Sequence, residues 1–282
     1  MMTIIKVLAA LVVLAVLGAT VFLVNELRSE AAVPQLNNAP EEDDSAPSVD
    51  PGELAFGRAR ELLATAHFDE AREKLEFIVG VYPASPSAEE ARRILGEFNL
   101  DELLSTDVME GKSVHTVVRG DNFTLIAKKH ETTLDCIMHM NGLQRMDKLY
   151  PGDELVTLPL NFNIKIDVPR KRLSLFKQGR FLKSYPLLAA RTRSGARGTL
   201  RTKVDQKIGI LDGRTVSPVK FQNYRHAKKL LILAHRRLQI GEPAAADEED
   251  PGRGFFVTES DMEELALLLR VGNEVEVRFT NQ

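Results

Sequence analysis

The spacing of apolar residues changes several times along the chain, and each spacing predicts a different element. From Ile4 to Val24 every residue is apolar or small except Lys6 and Thr20. About 20 such residues at ~1.5 Å each cover the roughly 30 Å of a bilayer core. The run predicts a membrane-spanning helix within residues 1–28. Lys6 stands at its start, and Glu30, Glu41, Glu42, Asp43 and Asp44 follow Arg28. That asymmetry predicts an N-terminus in the cytoplasm and the rest of the chain outside. A cleaved secretory signal is the rival reading. Its apolar region is usually shorter, and Gly18-Ala19-Thr20 makes a poor cleavage site inside a continuing run. Both readings carry the body of the protein across the membrane.

Residues 29–50 lose the periodicity and turn to Pro, Ala, Asn and acidic residues, which predicts a flexible, self-repelling linker. Helical spacing returns over residues 51–104. Leu54, Ala55, Ala59, Leu62 and Leu63 form one stripe and Ala71, Leu75, Ile78 and Val79 a second. Tyr82-Pro83 ends the second helix. Ser87 to Glu97 predicts a third, with Ala91, Ile94 and Leu95 inside. Residues 112–160 read as β-α-α-β. Val117 falls in a short strand, and Gly120-Asp121 makes a turn in which Asp121 is expected to cap a helix carrying Phe123, Ile126 and Ala127. Thr132 or Thr133 opens a second helix with Ile137, Asn141-Gly142 ends it, and Leu155 to Leu158 returns as a strand. From 161 to 282 the period is mostly two. Asn163–Val168, Arg172–Phe176 and Phe181–Pro186 are strands, with a turn at Lys177-Gln178-Gly179-Arg180. Lys229–Ala234 and Val275–Phe279 are further strands, and Ser260–Leu269 is a helix. The predicted fold class is therefore α+β and multidomain, with a transmembrane helix, a helical segment, a βααβ module and a mainly-β domain.

Composition narrows the function. A net charge of −3 gives no basic field for nucleic acid. Trp is absent and there are four Tyr, so stacking platforms are scarce. Cys136 is the only cysteine, which excludes an intrachain disulfide. The six His are scattered without metal spacing, and no cofactor motif stands out. Asp247-Glu248-Glu249-Asp250 reads as a solvated loop, and Arg225, His226, Lys228, Lys229, Arg236 and Arg237 as a mixed solvated face.

Three resemblances follow from these residues. The order Ala59, Leu62, Leu63, Phe68, Ala71, Leu75, Pro83 resembles a tetratricopeptide repeat, at about one and a half units. A repeat needs neighbours to bury its core. The segment is thus expected either to pack on its own chain as a spacer or to offer a groove to a protein partner. The run His115–Ala127, then Asn141-Gly142-Leu143, then Leu149-Tyr150-Pro151-Gly152-Asp153-Glu154-Leu155 with Pro159, resembles a LysM domain. That resemblance implies binding of N-acetylglucosamine-containing glycans, peptidoglycan or chitin. The groove would lie between Gly120, Asp121, Asn122, Phe123 and Thr124 on one side and Gly142, Leu143, Gln144, Arg145 and Met146 on the other. Loop amides and carbonyls would bond the N-acetyl group, with Leu143 or Met146 over its methyl. Asn122 and Phe123 replace the Thr and Leu usual in the family. A LysM fold kept only as a spacer is the alternative.

Ile166 to Pro186, Gly195 to Thr199, His235 and the stretch Asp261 to Val277 resemble the L,D-transpeptidase catalytic domain. That family attacks a peptide carbonyl with a cysteine thiolate, with a His as base and backbone amides holding the oxyanion. Here the motif reads His235 and then Gly252-Arg253-Gly254-Phe255, so Phe255 stands where the nucleophile would be. No catalytic residue is then expected, and His235 is expected to cap or pack. These resemblances imply a membrane-anchored peptidoglycan-binding protein of the bacterial envelope with an inactive transpeptidase-like domain. Its partners would be glycan strands, the inner membrane and a protein at the helical segment. An active L,D-transpeptidase and an envelope scaffold are the other readings.

Overall fold

The computed structural model describes residues 50–146, 148–235, 237–243 and 252–280. The expected membrane helix, the linker up to residue 49, Arg236 and the acidic run 247–250 lie outside the described residues. Among the described residues no helix is long and apolar enough to cross a membrane.

Three helices come first: α1 (Pro51–Ala64), α2 (Phe68–Val81) and α3 (Ala88–Leu104). Asp50 caps α1 by accepting from Glu53 N at 3.0 Å, and Pro51 sits in the first turn, where its missing N–H costs nothing. Ala59, Ala71 and Ala91 are fully buried beside Leu75 and Ile78, so the helices approach closely. A helical hairpin has no second core of its own, and α3 supplies the answer by lying on the sheet that follows.

The βααβ module is β1 (Ser113–Thr116), α4 (Phe123–Lys129), α5 (Leu134–Met140) and β2 (Glu154–Thr157). Its strands pair antiparallel, Ser113 opposite Thr157 and Thr116 opposite Glu154. β1 ends at Thr116, one residue before the predicted Val117. The helix cap is also corrected. Asn122, not Asp121, accepts from Leu125 N at 3.0 Å, while Thr133 caps α5 as expected.

The rest is one large sheet. Its strands are β3 (Phe162–Asp167), β4 (Arg172–Lys177), β5 (Arg180–Pro186), β6 (Ala189–Arg191), β7 (Thr199–Leu211), β8 (Arg214–Val216), β9 (Lys228–Leu233), β10 (Gln239–Gly241), β11 (Gly254–Phe256) and β12 (Glu274–Arg278). They run in the order β5-β4-β3-β12-β7-β9-β10-β11-β6, with β8 beside β7. β12–β3 and β10–β11 are the parallel pairs. Gln178 and Gly179 both take positive φ, the geometry of a two-residue hairpin turn. Helices α6 (Phe221–Arg225) and α7 (Glu259–Leu268) complete the domain, and α7 buries Met262, Leu265, Ala266 and Leu268 in its core.

Edge strand β5 is covered by α3. Asn99 donates to the carbonyls of Phe181 and Leu182 at 3.2 and 3.0 Å, and Lys183 pairs with Glu97 at 2.9 Å and Glu264 at 3.0 Å. The helical segment therefore packs on its own chain, and an edge that would otherwise invite pairing is closed.

Candidate functional site

Two loops of the βααβ module are built alike. In Val118-Arg119-Gly120-Asp121, Gly120 has φ +98° and Asp121 closes the turn: its N–H donates to Val118 O, and its carboxylate accepts from Val118 N at 3.0 Å. In Tyr150-Pro151-Gly152-Asp153, Gly152 has φ +99°, and Asp153 accepts from Tyr150 N at 2.8 Å. Gly in the third place and Pro in the second suit a type II turn. The two turns are tied together through Val117, which donates to Asp153 O at 2.8 Å and accepts from Gly152 N at 2.9 Å. Each turn leaves its first side chain in solvent, Val118 at 59% and Tyr150 at 64% exposure. Hydrophobicity buries neither residue, so together they give the turns an apolar outer surface.

Behind Asp121 runs a polar chain. His115 Nε2 lies 2.8 Å from the Asp121 carboxylate, and His115 Nδ1 lies 3.0 Å from His130 Nε2. His130 Nδ1 reaches Thr157 Oγ1 at 3.2 Å and Ser113 Oγ at 3.4 Å. One arrangement satisfies every partner with both rings neutral. His115 donates to Asp121, His130 donates to His115, and a hydroxyl donates to His130. The bond from Val118 N, and after it the one from His115, holds the Asp121 carboxyl below its usual range. Burial, and then the neighbouring His115 and Lys129, lower the His130 pKa.

The predicted glycan residues divide in two. Phe123 is 8% exposed and packs with Val117, Ile126 and Ile137, so its ring is core and cannot face a ligand. The Asn122 and Asp121 side chains are spent on the cap and the turn. Thr124, Gly142, Gln144 and Met146 remain at the surface, and Leu143 is half-buried against the module's core. The Gln144 carbonyl accepts from Arg225 at 2.8 Å, which pins the loop to α6. Arg145 has interactions of its own. Tyr150 lies outside the predicted set, and its ring is exposed on the second turn.

Residues 115–157 match the LysM domain. The match supports glycan binding by this part of the chain. The LysM domain is not a free bead: Cys136 and Met140 of α5 lie in the main core, and Phe221 of α6 lies in the LysM core.

In the sheet domain, Phe255 sits on β11 between Ile240 of β10 and Ala190 of β6. It is fully buried in the main core. Gly254 is required beside it, since a Cβ there would lie 2.2 Å from Gln239 O. His235 and Arg253 line a cavity of about 560 Å³ together with the β6–β7 loop. The His235 main-chain N–H donates to Thr202 Oγ1 at 3.0 Å, and the residue borders the cavity. The sole thiol, Cys136, is fully buried, and burial pushes it up to about 12. The expected solvated basic face is corrected in part. Lys229 is 5% exposed and pairs with Glu263 at 2.7 Å.

No curated protein sequence matches the chain. Among solved structures, an L,D-transpeptidase of Stackebrandtia nassauensis is 15% identical with a TM-score of 0.31, covering 53% of this chain and 66% of its own. The ertapenem-acylated catalytic domain of the E. faecium L,D-transpeptidase is 12% identical with a TM-score of 0.29, covering 42% and 96%. A fused Zn-dependent amidase/peptidase/peptidoglycan-binding domain protein of Clostridium acetobutylicum is 8% identical with a TM-score of 0.30, covering 42% and 51%. This chain thus spans about half the length of the clostridial protein. TM-scores near 0.3 leave the chemistry to be read from this chain's own residues.

Proposed function

We propose that the chain is a peptidoglycan-binding protein of the bacterial envelope, held to the membrane by its N-terminal apolar run, which grips glycan through its LysM domain. The observation that carries this reading is the LysM match over 115–157, folded as β-α-α-β with Gly120, Gly142 and Gln144 exposed in its loops. The loops offer backbone groups around Gly120 and Gly142, the Gln144 side chain, and apolar cover from Val118, Met146 and Tyr150. A sugar ring has one apolar face and polar edges, so such a surface suits it. The sheet domain is read as non-catalytic in cysteine acyl transfer, because a buried phenyl ring occupies the nucleophile position. Placement outside the cytoplasm follows from the charge order around the N-terminal run.

The test is sedimentation of the full-length chain with purified wall sacculi, beside Tyr150→Ala, Leu143→Ala and Asp121→Ala. The parent is expected in the pellet. Tyr150→Ala, which removes only an exposed ring, is expected to weaken binding by roughly tenfold with folding unchanged. A parent that stays in the supernatant overturns the reading. Muropeptide analysis with the same protein checks the second part, and new cross-links would overturn it.

A further inference from the structure

The 560 Å³ cavity beside His235 has a charge pattern of its own. Arg193 and Arg197, on the loop between β6 and β7, and Arg253, just before β11, all line it. Among the described residues no Asp or Glu lines it. Elsewhere arginines find carboxylates: Arg72 with Glu102, Arg92 and Arg172 with Glu89, Arg270 with Glu131. Among the described residues none of the three cavity arginines makes an ion pair. Three like charges around one space repel, and exposure to water makes that tolerable without making it favourable. Thr192, Ser194 and Thr199, each carrying a hydroxyl, also line the cavity. Guanidinium forks and hydroxyls together match the planar or tetrahedral oxygens of an oxyanion.

We infer that this cavity is a binding site for a multiply charged oxyanion, a phosphate or polycarboxylate group, held by Arg193, Arg197 and Arg253. This inference is independent of glycan binding, because none of the described residues within 115–157 lines the cavity.

Isothermal titration of the full-length chain with inorganic pyrophosphate and, separately, with citrate tests it at low salt. Binding by at least one anion is expected, weakening as salt is raised. The Arg193→Gln/Arg197→Gln/Arg253→Gln protein is expected to lose at least roughly tenfold in affinity, as loss of charge-assisted hydrogen bonds implies. Arg214→Gln, an exposed change on β8, is expected to bind like the parent. Pyrophosphate alone assigns phosphate, citrate alone assigns carboxylate, and either supports the site. No binding of either anion at millimolar concentration overturns it. So does equal binding by the triple variant, whose unchanged melting temperature would show that it is folded.

Discussion

At the scale of single residues, the relay Asp121–His115–His130 decides how the LysM turn responds to acid. Only one proton fits between His115 Nδ1 and His130 Nε2, 3.0 Å apart, so the two rings cannot both carry full charge in this geometry. The pKa of His130 is lowered in the folded chain, so between that value and the ordinary value near 6.5 the unfolded chain binds more protons. Stability then rises with pH through that window and is lost as pH falls below about 6.5. Asp121, also lowered, adds a loss only in much stronger acid, below its ordinary value of 3.8. Melting temperatures from pH 7.5 to 5.5 are expected to fall more in the parent than in His130→Gln, and sacculus binding to weaken in step. Superimposable profiles for the two proteins would remove the relay from this role. Phe255 gives a second residue-scale prediction. Phe255→Cys places a thiol in the position expected for a nucleophile, but the side chain faces the core. The variant is expected to cost on the order of 2–4 kcal/mol, since large-to-small changes leave a cavity. Its new thiol is expected to resist labelling until the protein unfolds, like Cys136. Rapid labelling in the native state would mean that β11 presents this position to solvent.

Among the elements, α3 and β5 make the contact on which the helical segment depends. Asn99 serves two β5 carbonyls at once, so Asn99→Ala is expected to destabilise by about 1–3 kcal/mol, the net worth of two hydrogen bonds. Urea titration checks it, and a change within a few tenths of a kcal/mol would place the helix–strand grip elsewhere. This level of organisation was the most legible in the sequence. Helix ends at Pro83 and Asn141-Gly142, the hairpin at Gln178-Gly179 and the period-two strands all follow from local chemistry. The misses are local ties and distant partners. Asp121 and Asn122 are both good caps, and spacing alone does not choose between neighbours. Phe123 continues the apolar stripe of Ile126 and Ala127, which argues for core, but the family position drew it into the ligand set. Lys229 read as solvated because its partner Glu263 lies 34 residues away. Phe255 was located by motif, but a motif carries no direction, and only the register with Ile240 and Ala190 shows the ring inside.

For the whole molecule, the question is whether the LysM domain and the sheet domain move as one body. Lys207 of β7, 7% exposed, pairs with Asp135 of the LysM helix α5 at 2.7 Å and donates to the Leu269 carbonyl at 3.2 Å and to that of Ala266 at the end of α7. One ammonium thus joins a helix of each domain to the central sheet. Its three donors are used, so its burial is compensated. Cys136 and Met140 carry the apolar part of the same joint into the main core. Lys207→Met removes the charge, keeps most of the volume and leaves Asp135 buried without its partner. A cost of about 3–5 kcal/mol is expected, as for one half of a buried pair. Lys207→Met with Asp135→Leu replaces the pair by apolar side chains and is expected to recover a large part of that loss. Denaturant unfolding, followed at LysM amides and at sheet amides, is expected to give one shared midpoint in the parent. If the shared joint sets cooperativity, the single variant lowers both midpoints together and the double variant raises both. Movement of the LysM midpoint alone would show two independently folding bodies, and a double variant no more stable than the single one would show that charge is not what the joint contributes. A shared midpoint has a functional consequence. Glycan bound at the LysM loops then stabilises the sheet domain by linkage, although it touches no residue there.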